Sequence, residues 1–324
     1  MFNTSLDTET TNAIVVITGY IMFFGVSFFM IANGPKQPPK RKLFNGLFDE
    51  FFIWNIEAEG LCSEKRETPL RGNKIVSRVA EMIKEGNRPL ICLVEVNASV
   101  ATRILSKVDG LGYSGAFQSK GEYAPPPTKN DPDGVLVLYP TEKNQGNSEF
   151  TVMSGITVAG KKAGAPYIRI TDHLTGKWVP VTHLKSKTNC SHVRFEQLVG
   201  MGVLDKEGNI SQNCAGVVGD LNESPGKESL VIDAMRNHFP EEFFTSYLSN
   251  MKESDVLKDA IYDGDDRRGN VDSRGFNLST TDWAFMFGTS EISCSCDEEI
   301  PESSDGWYAK YFSDHRPVKC AAFW

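Results

Sequence analysis

The sequence predicts a layered α/β or α+β domain behind one apolar N-terminal span, and three observations predict it. Short apolar runs of strand length outnumber helical periodicities and are dispersed along the chain, which fits layers of sheet and helix rather than a bundle. At 324 residues, with 40% hydrophobic and 10% aromatic content, the chain can bury a sizeable core. A stretch without charge between Glu9 and Lys36 stands apart from all that follows.

The elements follow in order. Residues 1–12 are a short tail carrying Asp7 and Glu9 and no basic residue, unlike the basic start of a secretory signal. Residues 13–32 (AIVVITGYIMFFGVSFFMIA) are apolar over about 20 residues, the length of a bilayer-crossing helix, and are expected to be an uncleaved membrane anchor. Residues 33–49 form a basic linker stiffened by Pro35, Pro38 and Pro39. Lys36, Lys40, Arg41 and Lys42 place that side of the span in the cytosol by the positive-inside rule, so the domain over 50–324 is expected there as well. Within this domain strands are expected over 51–54, 90–94, 135–139, 150–156, 167–170, 178–182, 215–218, 283–287 and 318–323. Helices fit 71–84, where Ile75, Val79 and Ile83 share a face, and also 100–108, 193–203 and 228–237. The Pro-rich stretch 123–133 and the polar stretch 252–277 read as loops.

Composition excludes some functions. The formal net charge of −8 argues against a nucleic-acid coating protein, which needs a broad basic surface, and permits an enzyme touching a few phosphates locally. Seven irregularly spaced cysteines do not form a disulfide framework and lean toward a reducing compartment, and Cys294 with Cys296 lacks the second pair a zinc site needs. The glycosylation sequons at Asn3, Asn97, Asn189, Asn209 and Asn277 are for the most part read as chance matches, since a glycan on Asn97 would obstruct the polar cluster described next.

Five apolar runs end in polar residues: Asn55, Glu95, His183, Asp220 with Asn222, and Asp282; Asp314-His315 precedes a sixth. Strand ends hold polar groups rigidly while loops admit substrate. Acids suit a divalent cation and an attacking water, and amide and imidazole groups suit phosphoryl oxygens, so the set points to hydrolysis of phosphate esters. Each piece alone has a plainer reading. Gly-Asp-Leu-Asn over 219–222 makes an Asx turn, Glu95 or Asp314 caps the next element, and His183 is a satisfied core histidine. Their co-occurrence in this order is what carries the reading.

That order resembles the endonuclease/exonuclease/phosphatase superfamily, the DNase I-like proteins, over nearly all of residues 50–324. The matching pieces are Trp54-Asn55-Ile56, Leu93-Val-Glu95-Val96, Asp133-Gly134-Val135, Thr182-His183-Leu184, Gly219-Asp-Leu-Asn222, Thr281-Asp282 and Ser313-Asp-His-Arg-Pro-Val318. The resemblance implies a four-layer sandwich of two packed mixed β-sheets flanked by helices, with the site at one mouth. It implies that Glu95 is the principal ligand of Mg2+ (with Mn2+ able to replace it), with Asn55 and Asp314 close to the metal. It further implies that Asp220 orients or deprotonates water and Asn222 holds a phosphoryl oxygen. His183 and His315 would stabilise the phosphorane, and Asp282 would orient His183 or the leaving group. The chain departs from the family at Val94, commonly Gln, and at Trp283-Ala284 after Asp282.

Thr182-His-Leu-Lys-Ser-Lys187 with Arg194 and Gln197 resembles the pattern of the deadenylase and nocturnin-like branch. Lys185, Lys187 and Arg194 would then contact a nucleic-acid phosphate backbone. A related pattern occurs in sphingomyelinase-like members. Three functions therefore stand: a membrane-anchored Mg2+-dependent nuclease on RNA or DNA, a sphingomyelinase-type phospholipid phosphodiesterase or phosphatase, and a non-catalytic tethered binding module.

Overall fold

A computed structural model describes residues 48, 50–58, 68–124, 128–144, 149–160, 163–186, 189–223, 229–237, 259–261, 277–279, 282–287, 291–295, 312–313 and 315–323. All belong to the unit Lys42–Trp324. The expected anchor over 13–32 lies outside the described residues. Among those described, no helix is long and apolar enough to cross a membrane.

Two mixed sheets form the domain. The first has six strands in the order β12-β13-β1-β2-β4-β3, with β1 (Glu50–Asn55), β2 (Leu90–Asn97), β3 (Tyr113–Ser119), β4 (Asp133–Pro140), β12 (Glu291–Ser295) and β13 (Val318–Phe323). The second has five in the order β11-β8-β7-β6-β5, with β5 (Phe150–Ala159), β6 (Ala163–Asp172), β7 (Trp178–His183), β8 (Gly216–Asp220) and β11 (Asp282–Met286). A short ribbon pairs β9 (Asp259–Ile261) with β10 (Asn277–Ser279). The helices are α1 (Thr68–Glu85), α2 (Ala98–Asp109), α3 (Ser191–Gly200) and α4 (Leu230–Arg236).

Strand alternation assigns the faces. On β1 and β2, Phe51, Ile53, Leu90, Cys92 and Val94 enter the core shared with the second sheet, where they join Ile168, Val181, Val218 and Phe285. Phe52, Trp54, Ile91 and Leu93 turn to the other face, where Ile75 and Val79 of α1 and Ile104 and Val108 of α2 cover them. These strands are apolar on both faces because both are covered. Burying each such Ile, Leu or Val contributes about 1.5–3 kcal/mol, and the resulting framework can carry buried polar groups at its mouth.

Chain direction brings those groups together. β1 runs parallel to β2 and β7 parallel to β8, so each pair ends at the same edge of its sheet. β4, β11 and β13 run antiparallel to these and begin at that edge. The expected strands are all present, most of them extended by a few residues; 318–323 is unchanged and 283–287 shifts by one residue to Asp282–Met286. Strands β3, β9, β10 and β12 are additional, and β9 falls inside the stretch 252–277 read as a loop. Cys320 is disulfide-bonded, a pairing that irregular cysteine spacing does not announce. Asn97 is buried and its Nδ2 donates to the Asp131 carbonyl at 2.6 Å, so this sequon offers no amide for a glycan.

Candidate active site

Asp220 stands at the centre. It ends β8 opposite His183 on β7 and opposite Asp282 on β11, so strand register alone places three polar side chains in one row. Its carboxylate is 2% exposed; Oδ2 accepts from Asn55 Nδ2 at 3.0 Å and Oδ1 from the Asn222 backbone amide at 2.9 Å. The second bond is the Asx turn expected of Gly-Asp-Leu-Asn, made possible by a positive φ of 53° at Asn222. Asn222 Nδ2 donates to the Leu184 carbonyl at 3.0 Å, which ties the loop after β7 to the loop after β8.

Gly219 explains the tight spacing of these two strands. Its φ is +131°, and a Cβ there would lie 2.0 Å from the Thr182 carbonyl oxygen. Only glycine lets β7 and β8 approach this closely one residue before His183 and Asp220.

Glu95 reaches the mouth through a β-bulge. The register of β2 against β4 shifts between Val94 and Val96, and Glu95 has a φ of 54°. Val94 lies in the core between the sheets and Val96 in the core under the helices, so the extra residue frees Glu95 from the alternation. Its Oε1 lies 3.4 Å from His183 Nε2, which is also 3.7 Å from Asp220 Oδ2. Atoms of Glu95, His183 and Asp220 all lie within 4.8 Å of one another, as do those of Asp220, Asp282 and His315.

The two histidines are held differently. His315 Nδ1 lies 2.7 Å from Asp282 Oδ2. His183 Nδ1 faces Lys120 Nζ at 3.1 Å, and Lys120 in turn pairs with Asp133 Oδ2 at 2.6 Å. Asp282 therefore orients His315, a partner that the resemblance did not imply, and not His183, which it did. Burial, reinforced by Lys120, His315 and Lys185, holds the His183 imidazole well below the ordinary histidine value. Its Nε2 is buried and has no hydrogen-bond partner.

Remaining contacts brace the mouth. Ser313 Oγ donates to the Asn55 carbonyl at 2.6 Å, and Trp54 Nε1 donates to the His315 carbonyl at 3.2 Å. Arg71 of α1 donates to the carbonyls of Ile56, Glu57 and Phe312, joining the segments after β1 and before His315. Lys185 is partly exposed beside the site. Arg194 departs from the expected substrate contact, because it is 2% exposed and committed to Glu223 Oε1 at 2.6 Å and the Lys185 carbonyl at 3.1 Å. Gln197 accepts from the Lys185 amide at 3.0 Å, so the Arg-x-x-Gln spacing serves to hold the Lys185 loop. Trp283, the departure after Asp282, donates to the Glu223 carbonyl at 2.8 Å. Asp314 and Lys187 lie outside the described residues. Sequence reasoning missed Lys120 and Arg71, and gave Asp133 no role. Only the motif Asp133-Gly134-Val135 marked this corner.

The donor set fits a hard divalent cation. Two carboxylates converge with no thiolate among them, and Asn55 lies against one of the two.

No protein-family model and no curated protein sequence matches this chain. Solved structures do. TDP2 of D. rerio complexed with a single-strand DNA product aligns with a TM-score of 0.50 at 15% identity, covering 85% of this chain and 98% of that one. TDP2 from C. elegans aligns at 0.50 and 15% identity, covering 100% and 96%. A conserved protein of unknown function from Enterococcus faecalis V583 aligns at 0.52 and 11% identity, covering 84% and 98%. These alignments run over most of the chain and agree with the ordered motifs, and the chain has the DNase I-like fold.

Proposed function

We propose that the chain is a divalent-metal-dependent phosphodiesterase of nuclease type, acting on RNA or DNA. One observation carries this reading: Glu95, His183, Asp220, Asp282 and His315 converge at one mouth of the sandwich, each on a strand end or an adjoining bulge or loop. Fold likeness alone would not assign chemistry, and the convergence of these groups supports it independently.

Glu95 would hold Mg2+ or Mn2+, with Asp220, Asn55 and Asp314 nearby. Bound there, the cation supplies charge neutralisation and polarises a phosphoryl oxygen. Asp220, fixed on one side by Asn55 and on the other by the Asn222 amide, orients the attacking water and draws its proton. His183 offers its inward nitrogen to a phosphoryl oxygen. His315 keeps its ring orientation through Asp282 and stabilises the charge that develops opposite. Lys185 and Lys187 steer the phosphate backbone, and Arg194 sets the position of Lys185. A nucleic-acid substrate is favoured by these lysines and, by analogy of fold, by the DNA product held by the D. rerio neighbour. Residues 13–32 would anchor the enzyme in a membrane with the domain in the cytosol.

The test is turnover of single-stranded RNA, DNA, sphingomyelin and inositol phosphates by the full chain with Mg2+. Nucleic-acid cleavage that falls about 10³-fold or more in Asp220→Ala, with an unchanged circular dichroism spectrum, is the expected result. Cleavage of lipid alone would overturn the substrate, and cleavage surviving Asp220→Ala would overturn the site.

A further inference from the structure

We propose that Lys120, anchored by Asp133, selects the tautomer of His183, placing the ring proton on Nε2 so that the imidazole serves the site as a hydrogen-bond donor and not as a metal ligand. The inference rests on the reading of the site given above and concerns residues that the sequence motifs leave without a role.

An ammonium has three donors and no acceptor, so a ring nitrogen that bonds it must present a lone pair. Lys120 Nζ lies 3.1 Å from His183 Nδ1. In the neutral ring the proton is then on Nε2. Lys120 is firmly held in this position. Its ammonium meets Asp133 Oδ2 at 2.6 Å, and its backbone amide donates to the Asp133 carbonyl at 2.8 Å. Asp133 is wholly buried, and its other oxygen accepts from Thr128 Oγ1 at 3.1 Å. β3 and β4 pair up to Ser119 and Gly134, which delivers Lys120 and Asp133 side by side at the mouth.

The inward face of the ring shows why the tautomer matters. His183 is 4% exposed, and its Nε2 has no hydrogen-bond partner while standing between Glu95 and Asp220. With a lone pair there, the three residues would make a nitrogen-and-two-oxygen set of the kind that binds Zn2+ and its neighbours. With a proton there, the same atom repels a cation and donates to a phosphoryl oxygen. A histidine that ligates a metal turns its far N–H toward a carboxylate, carbonyl or water. His183 turns its far nitrogen toward a donor, the opposite arrangement. Lys120 is thus a positioning residue that decides between two chemistries open to one ring.

The experiment uses the metal-free full chain labelled with 15N-histidine, with His183→Gln to assign the His183 signals. Long-range 1H–15N correlation is expected to show a protonated Nε2 and an unprotonated Nδ1. Lys120→Met is expected to lose this pattern, and Lys120→Arg, which keeps a donor, to retain it. Calorimetric titration with Zn2+ alone should show an affinity raised about tenfold in Lys120→Met, abolished by adding His183→Gln. A protonated Nδ1 in the unsubstituted chain would overturn the proposal even if Lys120→Met fails to fold. An unchanged tautomer and unchanged Zn2+ affinity in folded Lys120→Met would overturn it as well, leaving only an ion pair that secures β3 to β4. Neither measurement needs turnover, so a chain that cleaves nothing still tests this proposal, while failure of the activity assay tests the site reading alone.

Discussion

At the scale of single residues the site distributes two kinds of histidine support. Asp282 offers His315 an acceptor at 2.7 Å, whereas Lys120 offers His183 a donor at 3.1 Å. The first fixes the ring through an acceptor, and the second, together with burial, opposes positive charge on the His183 ring. A pH dependence follows for His183. In the unfolded chain this residue takes up a proton near pH ~6.5, whereas in the folded protein burial and the surrounding cations resist it. Between the depressed folded value and about 6.5 the unfolded state binds more protons, so stability falls as pH is lowered through that window and is fully retained above it. Urea midpoints of the metal-free protein at pH 7.5 and 5.5 should differ, and His183→Gln should reduce the difference. An equal difference in the variant would show that the drop arises elsewhere.

At the scale of elements, the narrow approach of β7 and β8 is the critical feature. Gly219→Ala must resolve a contact of 2.0 Å with a backbone oxygen and a φ of +131° at once. The expected cost is about 2 kcal/mol or more, read as a lower urea midpoint, together with a loss of activity from displaced His183 and Asp220. Stability and turnover within error of the parent would refute this account. The same scale explains what could be read in advance. Strands β1, β2 and β4 are legible as unbroken apolar runs because sheet and helices bury both their faces. β3 is not, since Tyr113–Ser119 carries Ser, Gly and Gln and is only partly buried after Tyr113. Lys120 follows that unrecognised strand, so its position at the mouth was hidden with it. Arg71 was hidden for another reason. It lies on an ordinary amphipathic helix, and its bonds go to backbone carbonyls, which leave no mark in a sequence. Asn55, Glu95, His183, Asp220 and Asp282 could be named because their residue types and order are informative, whereas their partners depend on register. Arg194 shows the limit of motif transfer: its spacing was right, and burial against Glu223 gave it a different task.

At the scale of the molecule, two sheets with parallel central pairs concentrate strand ends at one mouth, in a chain whose formal net charge is −8. Long-range attraction to polyanions is therefore weak, and a tether that raises local concentration would suit such an enzyme. If residues 13–32 anchor the chain, the full protein expressed in cells will pellet with membranes and resist carbonate extraction, while protease added to intact vesicles of cytosol-out orientation will digest the domain. Release into the soluble fraction would refute the anchor, and protection from protease would reverse its orientation.

The bond from Trp54 Nε1 to the His315 carbonyl spans 261 residues, and that from Ser313 Oγ to the Asn55 carbonyl spans 258. These two links make completion of the site wait for the segment that carries Ser313 and His315. A growing chain carries Asn55, Glu95, His183 and Asp220 long before His315 exists, and β1 must wait for β13 as an antiparallel neighbour. Loop closure over such distances is slow and leaves an apolar strand edge transiently open. Ribosome-stalled chains ending before Ser313 should thus be inert and bound by chaperones, with activity appearing only in chains long enough to fold with Ser313, His315 and β13 in place. Turnover by a stalled chain would contradict this order of assembly. Under the proposed function, a chain built this way stays inert until the segment that carries Ser313 and His315 has been made and has docked.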